Sequence, residues 1–377
     1  MNSKTSLKKR NRKKILSTVI KFEEISKRDL QAKTGLSWST VSMLTSELIE
    51  EGYLAVSDKQ NTNVGRRPET LKINSKTNLF IGVDVNASDI KVIVTDMSVR
   101  ILFKRVYKGL NTRDSVIAVL YASIDGIIKS YGKEKISAIA FSVQGSVDME
   151  SGVSDDIYFI DGWQKVPIRQ LFEERYGLPV TVMHDSFCLI KAESVLGCEI
   201  SRLSENILLV YYNSKIGVVA PAVLNGKIYT STRGDAGEIG KMLVPTFKNA
   251  DVVPLEVVII EQRMTEEYIR DFGAEAESFE QLAEAAAAGE SGALEIFDRF
   301  VMRMGTAVLN CLNMYDPEVL VLGGMKGKYS SLYRDKLIDF VNKHIYRKVK
   351  IELLENDEDY AVIGAILMAV DRKIEEI

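Results

Sequence analysis

Between Ser37 and Thr45 the chain reads Ser-Trp-Ser-Thr-Val-Ser-Met-Leu-Thr, which gathers the hydroxyls of Ser37, Ser39, Thr40, Ser42 and Thr45 around the indole of Trp38. Short hydroxyl side chains reach phosphate oxygens and base edges without bulk, and the start of a helix favours a nearby phosphate. Further on, Arg66 and Arg67 stand together between Gly65 and Pro68. Two adjacent guanidiniums suit a phosphate backbone or a narrow minor groove. The chemistry these residue types point to is contact with double-stranded DNA. Metal and disulfide chemistry are not expected: Cys188, Cys198 and Cys311 lie far apart with no C-x-x-C spacing. No cofactor is predicted.

These side chains need elements to present them. Ile15, Leu16 and Val19 recur at helical spacing after the basic run Lys8 to Lys14, which predicts a first helix. Ser26 with Asp29 three residues on reads as the start of a second helix, closed by Gly35. Ser37 opens a third, whose Val41, Leu44, Leu48 and Ile49 form an apolar stripe, with Trp38, Ser39, Thr40, Ser42 and Thr45 expected at or near its outward, N-terminal part. Tyr53 to Val56 and Leu71 to Ile73 read as strands flanking a polar turn, a wing. Residues 1–73 are therefore predicted to form a winged helix-turn-helix. Residues 1–78 carry 16 Lys and Arg against 8 Asp and Glu, while the remainder holds 33 and 44, so a basic head sits on an acidic body. That asymmetry favours a polyanion partner over a head that merely packs against protein.

The body follows a different grammar. Strand patterns at Leu79 to Val85, Ile90 to Asp96 and Ile101 to Lys108 precede a helix at Ser115 to Tyr131 and a strand at Ile136 to Val143. The order is partly echoed by strands at Asn206 to Tyr212, Val218 to Leu224 and Lys227 to Tyr229, then an alanine-rich helical stretch at Glu280 to Asn313, a strand at Val319 to Leu322 and a C-terminal helix at Ala361 to Ile374. Two related α/β lobes are expected, covering 79–190 completed by 361–377, and 191–360. No apolar run of 18 residues and no secretion signal are visible, so a cytoplasmic protein without membrane contact is predicted.

A series of short motifs runs through the chain: T-G-L-S-W-S-T-V-S at 34–42, G-R-R-P at 65–68, I-G-V-D at 81–84, V-Q-G-S-V-D at 143–148 and G-W-Q-K-V-P-I at 162–168. It continues with G-L-P-V-T-V-M-H-D at 177–185, A-G-E-I-G at 236–240, Leu255-Glu256, and V-L-G-G at 321–324. In this order they resemble the ROK group of repressors, open reading frames and sugar kinases, and with such a head, its xylose and N-acetylglucosamine repressors. The resemblance implies a two-lobed actin-like ATPase, or ribonuclease H-like, body. It makes Asp185 the counterpart of the kinases' general base and Glu238 and Glu256 the carboxylates that hold sugar hydroxyls; Gly145 and His184, whose imidazole can bond a hydroxyl, complete the expected ligand site.

Departures from the pattern are as informative. The first phosphate loop of the family, Asp-x-Gly-Gly-Thr, here reads Asp84-Val85-Asn86-Ala87-Ser88. The second hairpin, Asn213 to Val218, keeps only Gly217. Without those glycines the backbone is not free to approach a phosphate, so ATP binding is expected to be lost. Lys241 stands at the family's zinc histidine and no cysteine triplet lies between it and Glu256, so zinc is not expected and Glu256 must be placed by packing of Leu255, Val257 and Val258. His184 replaces the usual asparagine, and together with Lys241 it would make the pocket more cationic. The expectation is a sugar-responsive repressor acting as a homodimer or dimer-based oligomer on operator DNA, without enzyme activity. The alternatives are an active sugar kinase with a regulatory head and a protein-docking body.

Overall fold

The computed structural model describes residues 3–57, 69–86, 88–232, 234–246 and 251–377. The expected wing residues Gly65, Arg66, Arg67 and Pro68 lie outside the described residues, as does Ala87.

The head begins with α1 (Ser3–Phe22), followed by β1 (Glu24–Ser26), α2 (Lys27–Thr34), α3 (Trp38–Glu50), β2 (Leu54–Val56) and β3 (Thr70–Ile73). Ile15, Leu16, Val19, Leu30, Val41 and Leu48 are fully buried, so the helical periodicities read from the sequence do define its core. β1 was not foreseen; it pairs antiparallel with β3 opposite β2 and makes a three-stranded sheet ordered β1-β3-β2. Caps fix the helix boundaries. Ser26 accepts from the Asp29 amide at the start of α2, Gly35 closes that helix at φ 64°, and Ser37 accepts from the Thr40 amide at the start of α3.

By its contacts the chain divides into two compact units, Met1–Lys191 with Ala361–Ile377, and Ala192–Tyr360. In the first, after the head, come β4 (Leu79–Val85), β5 (Asp89–Thr95), β6 (Ile101–Lys108), α4 (Arg113–Tyr131), β7 (Ile136–Val143), β8 (Ser146–Asp148), β9 (Val153–Asp156), β10 (Gln164–Val166), α5 (Ile168–Tyr176), β11 (Val180–His184) and the start of α6 (Asp185–Leu196). Its main sheet is ordered β11-β7-β4-β5-β6, with β11, β7 and β4 mutually parallel and β5 and β6 antiparallel. β4 is buried along its whole length, as expected of a central strand covered on both faces.

The second unit contains α7 (Glu199–Leu203), β12 (Ile207–Asn213), β13 (Gly217–Val219), β14 (Ala222–Leu224), β15 (Lys227–Ile228), β16 (Leu243–Pro245), β17 (Val252–Pro254), α8 (Leu255–Ile259), α9 (Glu261–Phe272), α10 (Phe279–Ala287), α11 (Ser291–Tyr315), β18 (Val319–Gly323), α12 (Arg334–His344) and β19 (Lys350–Leu353). Parallel β12, β18 and β19 carry the antiparallel β13, β14 and β15 on the β12 side. Two expectations change here. The single strand Val218 to Leu224 is two strands parted at Pro221, which has no amide to donate to a ladder. The helical stretch Glu280 to Asn313 is two helices parted at Gly289, whose φ of 88° no helix accommodates. α13 (Tyr360–Glu376) then returns to the first unit, where Ile366 and Val362 pack on Gly82 so closely that a Cβ there would collide with them.

Candidate DNA interface and ligand site

In α3 the apolar stripe Val41, Leu44 and Leu48 faces inward and leaves Trp38 and Met43 each 53% exposed. Ser39 and Ser46 are exposed and Thr40 and Ser42 half-buried, so Ser39, Ser42, Met43 and Ser46 share one outward face at helical spacing. Thr45 is a correction. It is 0% exposed and its hydroxyl donates to the Val41 carbonyl (2.8 Å), because position 45 falls on the inward stripe beside Val41 and Leu44. Ser37 is used as the cap, its hydroxyl also bonded to those of Ser39 (3.0 Å) and Thr40 (2.8 Å). Met43 and Ser46 went unnoticed in the sequence although the same periodicity places them. So did the exposed Arg28, in the first turn of α2, the helix that crosses the DNA backbone in this motif.

Much of the basic charge of α1 is engaged within the protein. Lys8 pairs with Glu47 (2.9 Å), and Arg12, almost fully buried, bonds Glu47 (3.3 Å) and Glu51 of the α3 end. Lys13 pairs with Glu375 (3.0 Å) and Lys9 donates to the Glu376 carbonyl (3.1 Å). The positive charge left for a polyanion is therefore smaller than the sequence total.

In the first unit, His184 and Asp185 sit where β11 ends and α6 begins. His184 Nδ1 accepts from the Ser186 amide (3.1 Å) and lies 2.7 Å from the Ser186 hydroxyl, so it is the imidazole that caps α6. Asp185 Oδ1 is 3.1 Å from the same nitrogen, and with its side chain 25% exposed the carboxylate stays accessible. Burial raises its pKa, opposed by His184 and by backbone amides. Val143, the register partner of His184, leads through Gln144 to Gly145, where φ is 85° and a Cβ would collide with the Asp156 carbonyl. Close approach of two backbones thus accounts for glycine at 145. Asp84, at the end of β4, is 3% exposed, and burial pushes its carboxyl up to about 6 while Lys91 pulls the other way.

In the second unit, Glu238, Lys241 and Glu256 form a charged group of their own. Lys241 Nζ lies 2.5 Å from Glu256 Oε1, and the hydrogen bond it donates to Glu256, with the charge of Glu238 behind it, raises the lysine's pKa. The expected cationic contribution of Lys241 is thereby neutralised. Glu256 rests against Gly217 and Gly240, where added Cβ atoms would fall 3.0 Å and 2.7 Å from it. Leu255 and Ile259 anchor α8 in the core, whereas Val257 is 40% exposed and contributes little to the placement expected of it. No group of three or more His, Cys, Asp or Glu suited to a metal occurs among the described residues. A surface cavity of about 300 Å³ in this unit, bordered by Asp316, Tyr346, Arg347 and Lys348, contains none of the ligand candidates.

Residues 80–372, which hold both groups, match the model of the ROK family. The chain belongs to the ROK family. Residues 8–55 match a winged helix-turn-helix DNA-binding model. Among similar proteins, the xylose repressor of Caldicellulosiruptor bescii is 25% identical over 399 residues, spanning 98% of each chain, and that of Bacillus subtilis is 23% identical over 99% of this chain and 98% of its own. The transcriptional dual regulator NagC of Escherichia coli is 25% identical, covering 84% of this chain and 81% of its own. Among solved structures, a ROK family transcriptional regulator homologous to E. coli MLC has a TM-score of 0.78 at 19% identity, covering 98% of this chain and all of its own. The ROK hexokinase of Thermus thermophilus has 0.68 at 21%, covering 79% and 100%. These structural likenesses establish the ROK fold with a winged head.

In the turns that follow β4 and β12, an asparagine side chain accepts from backbone amides. Asn86 Oδ1 accepts from the amides of Ser88 (2.9 Å) and Asp89 (3.0 Å) and from the Ser88 hydroxyl (2.7 Å), while its Nδ2 donates to Asp84 and Asp89. Asn213 Oδ1 accepts from the Lys215 amide (3.0 Å), and the Asn213 carbonyl takes the Ile216 amide (3.1 Å). The backbone amides of Ser88, Asp89, Lys215 and Ile216 are thus engaged within these turns.

Proposed function

We propose that this ROK protein is a transcriptional repressor that binds operator DNA through residues 1–73 and releases or grips it in response to a sugar or sugar derivative held by its ROK body, the lobes of which are 79–190 completed by 361–377, and 191–360. The observation that carries the reading is the outward face of α3 on a winged head joined to a ROK body, an arrangement matched over nearly the full length by xylose repressors. Trp38, Ser39, Thr40, Ser42 and Met43 supply groove contacts, with Arg66 and Arg67 on the wing. His184, Asp185, Glu238 and Glu256 hold ligand hydroxyls, since carboxylates accept several such bonds at once. The protein works in the cytoplasm as a homodimer on a pseudo-palindromic site, the two heads one DNA turn or a multiple apart.

A second reading, an active sugar kinase, is favoured by Asp185, an accessible carboxylate with a raised pKa as a general base requires. The occupied amides at Asn86 and Asn213 weigh against it. One pair of measurements separates the two: fluorescence anisotropy with labelled DNA fragments, and conversion of ATP to ADP across a panel of sugars. Specific DNA binding that a sugar modulates without ADP formation supports the repressor; sugar-dependent ADP formation at a useful rate overturns it.

A further inference from the structure

Within the first unit, residues of four helices, α6, α13, α1 and α3, make contact in series. Along α6, Asp185, Cys188 and Lys191 follow one another at intervals of three residues, on one side of the helix. At Cys188 the backbone of α6 touches α13 so closely that a Cβ on Gly364 would collide with the Cys188 carbonyl. One turn on, Lys191 Nζ pairs with Asp371 Oδ2 at 2.6 Å. Gly364, Asp371 and Glu375 are separated by seven and four residues and so lie on one stripe of α13. Glu375 ends that stripe on Lys13 of α1 (3.0 Å), with Lys9 bonded to the Glu376 carbonyl (3.1 Å). Lys9 and Lys13 are one i,i+4 pair of α1. The adjacent pair, Lys8 and Arg12, holds Glu47 and Glu51 at the end of the recognition helix α3. α1 thus grips α13 with one pair of cations and α3 with the next.

From this series we infer that α13 couples the Asp185 end of α6 to the recognition helix, with Lys191–Asp371 as its body-side connection and Lys13–Glu375 as its head-side connection. The inference rests on the ligand site proposed above. A ligand that engages His184 and Asp185 loads the first turn of α6, whose amide the His184 ring caps. The close backbone contact at Gly364 leaves α13 little freedom to stay behind if α6 turns or slides. The C-terminal turn of α13 then carries Lys9 and Lys13 with it, and α1 re-aims α3. Asp371, Glu375, Lys9 and Lys13 are positioning residues that touch neither ligand nor base edges.

The test uses the full chain and a DNA fragment selected from a random library with the parent protein. Glu375→Lys adds positive charge and would tighten binding if charge alone mattered; the coupling predicts roughly three- to tenfold weaker binding, because Lys13 then faces a like charge. Lys13→Glu combined with Glu375→Lys restores the pair in reverse and is expected to bind more tightly than Lys13→Glu alone. Asp371→Asn, at the body end of α13, is expected to weaken DNA binding severalfold and to speed hydrogen exchange of α1 amides, a readout that a local loss at position 371 would not move. Unchanged or tighter binding by Glu375→Lys, or unchanged affinity and α1 exchange in Asp371→Asn, overturns the coupling. No sugar enters these measurements, so their failure leaves the ligand site standing, and failure of that site shows instead in ligand titrations of Asp185→Asn.

Discussion

Asp185 is the residue on which the ligand reading turns. Its carboxylate is accessible, lies 3.1 Å from Nδ1 of the His184 imidazole, and begins a helix whose Ser186 amide bonds that ring. Replacing one polar partner of a sugar hydroxyl costs about 1–3 kcal/mol, so Asp185→Asn should weaken effector binding roughly fivefold to a hundredfold while ligand-free DNA affinity holds. Isothermal titration and anisotropy check the two halves; unaltered effector response in Asp185→Asn, Glu238→Gln and Glu256→Gln together places the pocket elsewhere. Asp84 behaves differently, for burial holds its carboxyl near 6 in the folded chain, above the unfolded value of about 3.9. A raised acid binds protons more tightly when folded, so its contribution falls as pH rises from about 4 to 6 and stays low above that. Asp84→Asn, which does not titrate, should gain stability over the parent across that window, on the order of 2–3 kcal/mol by pH 7. Urea unfolding at pH 4.5 and 7.5 reads it directly, and parallel pH profiles for the two proteins would refute the assignment.

At the scale of elements, α3 separates what its periodicity states from what its composition suggests. Thr45 belongs with the hydroxyl cluster by residue type but with the buried stripe by position, and its hydroxyl is bonded to the helix backbone. Thr45→Val should therefore leave DNA affinity and its salt dependence unchanged, whereas Trp38→Ala should weaken binding by severalfold or more. The wing supplies the complementary case. Arg66→Ala with Arg67→Ala should lower affinity and flatten the slope of log K against log salt by about 1 to 2, roughly one unit for each phosphate no longer neutralised. An unchanged slope in anisotropy titrations from low to high salt removes the wing from the interface. The α1 cations are a caution against reading charge by composition alone, since Lys8, Lys9, Arg12 and Lys13 all have partners within the unit.

For the whole molecule, the two glycine-poor hairpins make the same point in each unit. Asn86 and Asn213 hold amides that a glycine-rich phosphate loop would leave to the nucleotide. The purified protein should then form no ADP above background with ATP and any sugar of a hexose and pentose panel; steady sugar-dependent turnover would show that these loops open. Sedimentation should give a dimer, and a monomer that still binds the palindromic site with high affinity would contradict the paired-head arrangement.

Local signals carried much of this in the sequence: the caps at Ser26 and Ser37, the core stripe of α3, the strands Leu79–Val85, Ile101–Lys108 and Ile136–Val143, and the motif order that resembles ROK proteins. The caps, the stripe and the strands are set by short-range propensity and periodicity, which a single chain segment expresses by itself. What the sequence could not express were the long-range pairings. β1 forms because Glu24–Ser26 meets β3, whose Thr70–Lys72 lie far along the chain. Glu256 is held by Lys241 and two glycines rather than by its hydrophobic neighbours alone, and the cations of α1 are divided between α3 and α13. Such pairings depend on which surfaces the folded chain brings together, and a charge or a hydroxyl read in isolation carries no record of its partner.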